Sequence, residues 1–395
     1  MSLSAREALM RFFRGRLPEM LELLERMVLI QSGTVNKAGV DRMARLMAGQ
    51  LEELGLEVEL RAQESHGDVV VARNRLAAQG ERGMLLVGHM DTVFPPDTEF
   101  NWFRRDGDKC YGPGVADMKG GLVVMLYGLA ALKEAGLLDQ IPLKVVCNPD
   151  EEVGSPVSRP IILEQARDCF AALVLEAASV GGEVVTGRKG RLGFTLMVSG
   201  SAGHAAYVVK DKANAVLELA HKIIRLESLN CLVPGLSVNV GRIGGGIGPN
   251  TVAEQAWAQV DVRVKRKGDF SIFEARLHQL LANSSVPGTS CRVEAVERVV
   301  PMEQTPANRA LYRVVAEQAR EMGLEVGEDF RPGCSDGNSL ALAEVPVLDG
   351  MGPVGGDDHS DQEWMLTDSL LERAQLLALS LAEMWRRQRE GVLFG

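Results

Sequence analysis

The 395-residue sequence predicts an α/β protein: a mostly parallel, twisted sheet flanked by helices, interrupted by an inserted β-α-β-β-α-β domain. Three observations predict it. Short apolar strands alternate with helical segments up to about residue 185, which implies parallel strands with helices on both faces. Near residue 190 the period becomes strict alternation, as in "RLGFTLMVSG", where Phe194, Leu196 and Val198 share one face. After about residue 301 the helix–strand alternation resumes.

The elements follow in order. "MSLSAREALMRFFRGRLPEM" reads as an interrupted amphipathic helix and lacks the apolar core of a signal peptide. "GMLLVGHMD" is a strand running into a loop. "GGLVVMLYGLAALKEAGL" is a helix opened by glycines and closed near Gly136. "PLKVVCNPDEE" and "AALVLEAA" are strands with polar residues at their carboxyl ends. In the inserted part a strand is followed by the helix "ANAVLELAHKIIRLE", the strands "LSVNVGRIGGG" and "AEQAWAQVDVRV", the helix "FSIFEARLHQLLA" and the strand "SCRVEAVERV". That order is the split, ferredoxin-like motif. "ANRALYRVVAEQAREMGL" and "VPVLDG" supply the last helix and strand. The sheet domain is therefore expected over residues 1–188 and 301–395, with 189–300 inserted.

The formal charge of −10 argues against nucleic-acid or anionic-membrane partners, and no run of about 18 apolar residues suggests a membrane span. Six cysteines occur without a C-x-x-C pair, so free thiols and a cytoplasmic setting are expected.

Polar side chains collect at the predicted strand ends. His89 and Asp91 follow "MLLVG", Glu151 and Glu152 follow "LKVVCNP", Glu176 ends "AALVLE", and His359 lies in the loop after "VPVLDG". Open parallel sheets bind ligands outside the carboxyl ends of their strands. Asp117 stands just before the glycine-opened helix. Singly, each has a plain structural role: Asp117 as a helix cap, Asp91 as a turn cap or as the acceptor that orients His89. Together, histidines and carboxylates without thiolates suit zinc or a similar divalent metal. Two divalent ions balance Asp117, Glu152, Glu176 and one hydroxide, whereas one ion leaves the set anionic.

The ordered motifs "GHMDTV", "GDKCYGPGVADMKGG", "PDEEVGS" and the late "HS" resemble the dizinc exopeptidases. These include glutamate carboxypeptidase, aminoacylases, acetylornithine deacetylase and succinyl-diaminopimelate desuccinylase. The wording around Asp117 is most similar to bacterial glutamate carboxypeptidase, and the resemblance spans about residues 20–390. It implies a zinc-exopeptidase-like fold whose inserted domain serves for dimerisation or as a lid. It also implies two Zn²⁺ per subunit, replaceable by Co²⁺ or Mn²⁺. His89 and Glu176 would hold one, Glu152 and His359 the other, and Asp117 would bridge them. Asp91 would be the partner of His89, and Glu151 the general base and acid. The Asp117–Met118 peptide bond would be cis.

In the inserted domain, "GSAGHAA" implies that His204 reaches the active site of the partner subunit in a homodimer and steadies an oxyanion. "GPNTVAEQAWAQVDVR" implies that Asn250 and Arg263 meet the substrate, Arg263 through its α-carboxylate. "GCSDGNS" resembles a loop lining the substrate pocket, although Cys334 replaces a commoner glycine or threonine. Met118 departs from glutamate carboxypeptidase, which has an acid there; methionine occurs in the deacetylase and desuccinylase relatives. The implied activity is hydrolysis of an amide bond beside a free carboxylate, in a small peptide or N-acyl amino acid. It is carboxypeptidase-like, with a deacylase or dipeptidase as the alternative. Asp150 is left as a turn residue.

Overall fold

The computed structural model describes residues 3–207 and 210–395. It divides into two compact units. The first comprises Met1–Gly187, Gln304–Arg331 and Ser335–Gly395; the second comprises Arg188–Glu303 and Pro332–Cys334.

The first unit is built on a six-stranded sheet in the order Glu57–Arg61, Val69–Arg73, Leu143–Asn148, Gly83–His89, Cys169–Val174, Val347–Leu348. From Leu143–Asn148 onward the strands run parallel, and the first two are antiparallel. Every residue of Gly83–His89 and of Cys169–Val174 is buried, which is why these strands read as apolar runs rather than alternating ones. The helix Lys119–Glu134 packs between this sheet and the C-terminal helix Thr367–Arg389. Gly121 makes that approach possible: a Cβ there would lie 1.9 Å from the Leu175 carbonyl oxygen. The helix start, and Asp117 before it, are thereby brought to the end of the Cys169–Val174 strand.

A small antiparallel sheet in the order Gly355–Gly356, Trp364–Leu366, Lys109–Tyr111, Arg104–Asp106 completes this unit. His359 sits in its hairpin, not in a simple loop off the central sheet.

The second unit is an antiparallel sheet in the order Ser237–Gly245, Gln255–Val264, Gly190–Ser199, Ser290–Val299. The helices Ala215–Glu227 and Lys267–Ala282 give the chain order strand, helix, strand, strand, helix, strand. Phe194, Leu196 and Val198 enter its core with Phe270 and Phe273. A buried ion pair, Glu218–Lys222 at 3.0 Å, joins its two helices, because Lys222 also donates to the Leu280 carbonyl oxygen and, past the end of that helix, to that of Asn283. Pro332–Cys334 belong to this unit although the sequence suggests the other. The reason is local: Cys334 Sγ accepts from Arg263 at 3.4 Å and donates to the Lys189 carbonyl oxygen at 3.5 Å.

All six cysteines are free, Cys110, Cys147 and Cys169 buried and Cys231 exposed. No described helix is long and apolar enough to cross a membrane.

Within the C-terminal helix Glu383 accepts from Arg386 at 2.7 and 2.9 Å and from Arg387 at 2.8 Å. The Arg386 guanidinium, aided by Arg387 and opposed by burial, draws the Glu383 carboxyl down to about 2. A carboxyl lowered on folding stabilises above its unfolded pKa of about 4.3 and loses that stabilisation as pH falls toward the folded value. Glu383→Gln is expected to cost about 1–2 kcal/mol at pH 7, allowing for the exposure of Arg386. Melting curves of the two proteins should converge as pH drops below about 4; a gap independent of pH would contradict the ion-pair origin.

Candidate metal centre

The carboxyl ends of the central strands deliver the side chains. His89 closes Gly83–His89, Glu151 and Glu152 open the short turn Glu151–Val153 beyond Leu143–Asn148, and Glu176 lies just past Cys169–Val174. Asp117 arrives from the loop before Lys119–Glu134, through a cis peptide bond to Met118. Met118 is fully buried, its Sδ accepts the His89 amide at 3.2 Å, and it packs by Gly88 and Leu122. An apolar residue at this position is thus part of the support of His89.

Asp117 divides the centre. Its Oδ1 is 2.9 Å from His89 Nε2, which also lies 3.6 Å from Glu176 Oε1. Its Oδ2 is 3.2 Å from His359 Nε2, which lies 3.2 Å from Glu152 Oε2. One carboxylate therefore faces two separate histidine–glutamate pairs. A Glu151 oxygen falls within 4.8 Å of the donor atoms of His89 and Glu176.

The donor set fits divalent metal. Tetrahedral ligands at about 2.0–2.2 Å from an ion stand about 3.3–3.6 Å apart; the spacings here, 2.9, 3.2, 3.2 and 3.6 Å, lie at or a few tenths of an ångström below that edge. The charges also ask for a cation. Burial disfavours a proton on His89, but Glu176, Asp117 and Asp91 outweigh it and hold its pKa well above the usual value. Hydrogen bonds to Asp117 and Glu152 raise His359 to about 11. Burial alone would raise Asp117, yet His359 and His89 hold it well below the carboxylate range. Glu151 is pushed well above its usual range, by burial first and then, against the pull of His89, by Glu176, Asp336 and Glu152.

Asp91 does more than orient His89. His89 Nδ1 lies 3.0 Å from the Asp91 carbonyl oxygen and 3.4 Å from its carboxylate. That carboxylate accepts from Thr34 at 2.7 Å and from the amides of Glu151 and Glu152 at 3.2 and 3.3 Å. It thus holds the turn that presents both glutamates.

Sequence reasoning missed Glu363. Its buried carboxylate accepts the amides of Gly114, Ala116 and Asp117, each at 2.9 Å, and so shapes the Asp117 loop from the small sheet. The available signal was an acid four residues after His359 in a chain segment about to form a strand. Burial, with the charge of Asp117 next, raises its pKa to about 8. Asp358 was missed as well; one of its oxygens comes within 4.8 Å of the donors of Asp117 and His359.

The residues expected to meet substrate lie in the second unit. His204 is exposed on the short ladder Gly203–His204 with Thr251–Val252, next to Asn250, whose carbonyl accepts the Ala205 amide at 2.9 Å. Arg263, near the end of Gln255–Val264, is clasped by Asp261 at 2.8 and 3.0 Å.

A mostly parallel sheet with histidines and carboxylates gathered at its carboxyl edge defines a metal-dependent hydrolytic enzyme. The chain belongs to Peptidase family M20/M25/M40, whose sequence profile matches residues 85–383. Carboxypeptidase G2 of a Pseudomonas species is 29% identical over 370 residues, 92% of this chain and 88% of that protein. Acetylornithine deacetylase of Edwardsiella ictaluri is 25% identical over 392 residues, 92% of this chain and 97% of that one. Among solved structures, aminopeptidase PepT of Bacillus cereus superposes with a TM-score of 0.78 at 19% identity, covering 93% and 98% of the two chains. A tripeptidase of Staphylococcus aureus does so at 0.76 and 23%, covering 93% and 99%. These two likenesses are of fold.

Glu363→Ala removes the acceptor from three loop amides. It is expected to destabilise the protein by about 2–4 kcal/mol, read by chemical denaturation. An unchanged midpoint would show that the amides have other acceptors.

Proposed function

We propose that the protein is a dizinc exopeptidase of the glutamate-carboxypeptidase type, hydrolysing an amide bond beside a free carboxylate. The observation that carries this reading is Asp117, with one oxygen toward His89 and Glu176 and the other toward His359 and Glu152. His89, Glu176 and Asp117 would hold one ion and Asp117, Glu152 and His359 the other. Bound there, such ions supply Lewis-acid polarisation of a carbonyl and of a water.

The chain's own residues supply the proton chemistry. Glu151 takes the proton of the attacking water and returns it to the leaving amine. His204 Nδ1 accepts the Ala206 amide at 3.2 Å, so the neutral ring carries its proton on Nε2. In the proposed homodimer, formed through the second unit, that N–H of His204 of the partner subunit would donate to the oxyanion. Arg263 and Asn250 would grip the substrate, Arg263 by its carboxylate. The first unit would then be the catalytic domain and the second the dimerisation or lid domain.

The carboxypeptidase likeness favours a C-terminal residue as the group released. A deacylase or dipeptidase reading is favoured by Met118 and by the acetylornithine deacetylase likeness.

Glu151→Gln is expected to lower kcat by about 10²–10⁴-fold with two metals per chain retained, as measured by elemental analysis. Wild-type turnover in that variant would remove Glu151 from the mechanism. Chelator-stripped protein should be inactive, melt lower, and regain both properties with Zn²⁺, Co²⁺ or Mn²⁺. Arg263→Ala is expected to raise KM about tenfold or more for substrates with a free carboxylate and to leave their amides unaffected. Assays of dipeptides, N-acyl amino acids and acyl-glutamates separate the two substrate readings.

A further inference from the structure

The turn that carries Glu151 and Glu152 is closed by buried carboxylates. Asp91 takes the amides of the two glutamates, and Asp150 takes those of Val157 and Ser158 at 2.7 and 3.3 Å. One further carboxylate reaches the turn from outside. Asp336 opens the helix Asp336–Leu342 and is buried, with 2% of its surface exposed. Its Oδ2 accepts from Asn148 Nδ2 at 2.7 Å, and its Oδ1 accepts from Ser155 Oγ at 2.6 Å.

Those two residues are the entry and the exit of the turn. Asn148 ends its strand, and its carbonyl oxygen accepts the Met90 amide at 2.8 Å, next to His89. Ser155 adopts φ 55°, in the left-handed region, and its amide donates to the Asp150 carbonyl oxygen at 2.8 Å. Asp336 is itself anchored. Ser335 caps its helix and donates to Asp349 at 2.6 Å.

We infer that Asp336 is a positioning residue for Glu151: by bonding both ends of the turn it fixes where the Glu151 carboxyl stands. The inference rests on the reading of Glu151 as the base. Asp336 touches neither the metal donors nor the substrate groups proposed above, so its effect passes through Asn148 and Ser155. The positioning is carried by these hydrogen bonds and is separate from the charge of Asp336 that helps raise the Glu151 carboxyl. Asn148 Oδ1 has no hydrogen-bond partner among the described residues. An amide at position 336 therefore keeps both bonds once the Asn148 side chain turns over: Asn148 Oδ1 accepts from the new NH₂, and Ser155 still donates to the remaining oxygen.

The test compares Asp336→Ala, Asp336→Asn and Ser155→Ala with Glu151→Gln, all metal-loaded, by kcat, KM and bound metal per chain. Asp336→Ala is expected to lower kcat about 10–100-fold, with KM within about twofold and bound metal at the wild-type level. Ser155→Ala removes one bond and is expected to lower kcat about tenfold. Asp336→Asn is expected to return to within about threefold of wild type. Wild-type kcat in folded Asp336→Ala and Ser155→Ala overturns the inference, and so does an asparagine variant no better than the alanine one. If Asp336→Ala does not fold, Ser155→Ala and Asp336→Asn decide the matter alone. Full activity in Glu151→Gln sinks the base reading itself; a dead Glu151→Gln beside wild-type Ser155→Ala and Asp336→Ala sinks only the positioning role.

Discussion

The centre depends on how negative charge is compensated. Asp91, Asp117, Glu151, Glu152 and Glu176 meet at one sheet edge, and such a set is stable only with matching donors or cations. The protein uses both. Asp91 is met by the amides of Glu151 and Glu152, by the Thr34 hydroxyl and by His89 Nδ1 at 3.4 Å, and Glu363 accepts three loop amides. Asp117, Glu152 and Glu176 face histidine nitrogens on the side of the candidate centre. Acids that accept amides shape the loops; Asp117, Glu152 and Glu176 are the ones proposed to bind a cation. Asp91 links the two, since the amides it accepts are those of Glu151 and Glu152, the glutamates proposed as base and metal ligand.

The fold serves this arrangement by rigidity. Parallel strands buried along their whole length give fixed ends, and residues just past those ends inherit that fixity. Asp117 and His359 do not come from such strands. They come from the small sheet and its flanking loops, where the strand Trp364–Leu366 pairs with Lys109–Tyr111. Glu363, immediately before that strand, reaches the Asp117 loop through three amides. Asp117 and His359 are thus set by one local structure, despite being some 240 residues apart in the chain.

Much of this was legible in the sequence, and for a physical reason. Apolar runs ending in His89, Glu151 or Glu176 carry their own message, because a charged group closing a buried strand needs a partner. The switch to alternation at Phe194, Leu196 and Val198 is equally local. Asp150, left as a turn residue, directly precedes the turn Glu151–Val153, and its side chain accepts the amides of Val157 and Ser158 at the start of the next helix. What stayed hidden is what depends on distant pairing. Glu363 and Asp336 sit in segments with no periodic pattern, and their partners lie 246 and 188 residues away. Pro332–Cys334 joined the second unit through contacts with Arg263 and Lys189 that no composition shift announces. The exposed position of His204 follows from a short ladder too brief to leave a period.

In the proposed role of Arg263, its present partners would constrain selectivity. Its guanidinium already makes a bidentate pair with Asp261, so taking a substrate carboxylate is an exchange of one carboxylate for another, not the filling of an empty clamp. Such an exchange is favourable only if the released acid keeps a partner. Asp261 does: Arg191 Nε lies 3.2 Å from its Oδ2. The pair Arg191–Asp261 therefore lets Arg263 leave without stranding a half-buried charge. It also sets a threshold. A neutral group at the same position has to displace Asp261 without returning an ion pair, and a pocket built this way discriminates against it by the cost of that displacement. Under the proposed function, preference for a free carboxylate would be a property of the Arg191–Asp261–Arg263 trio rather than of one arginine.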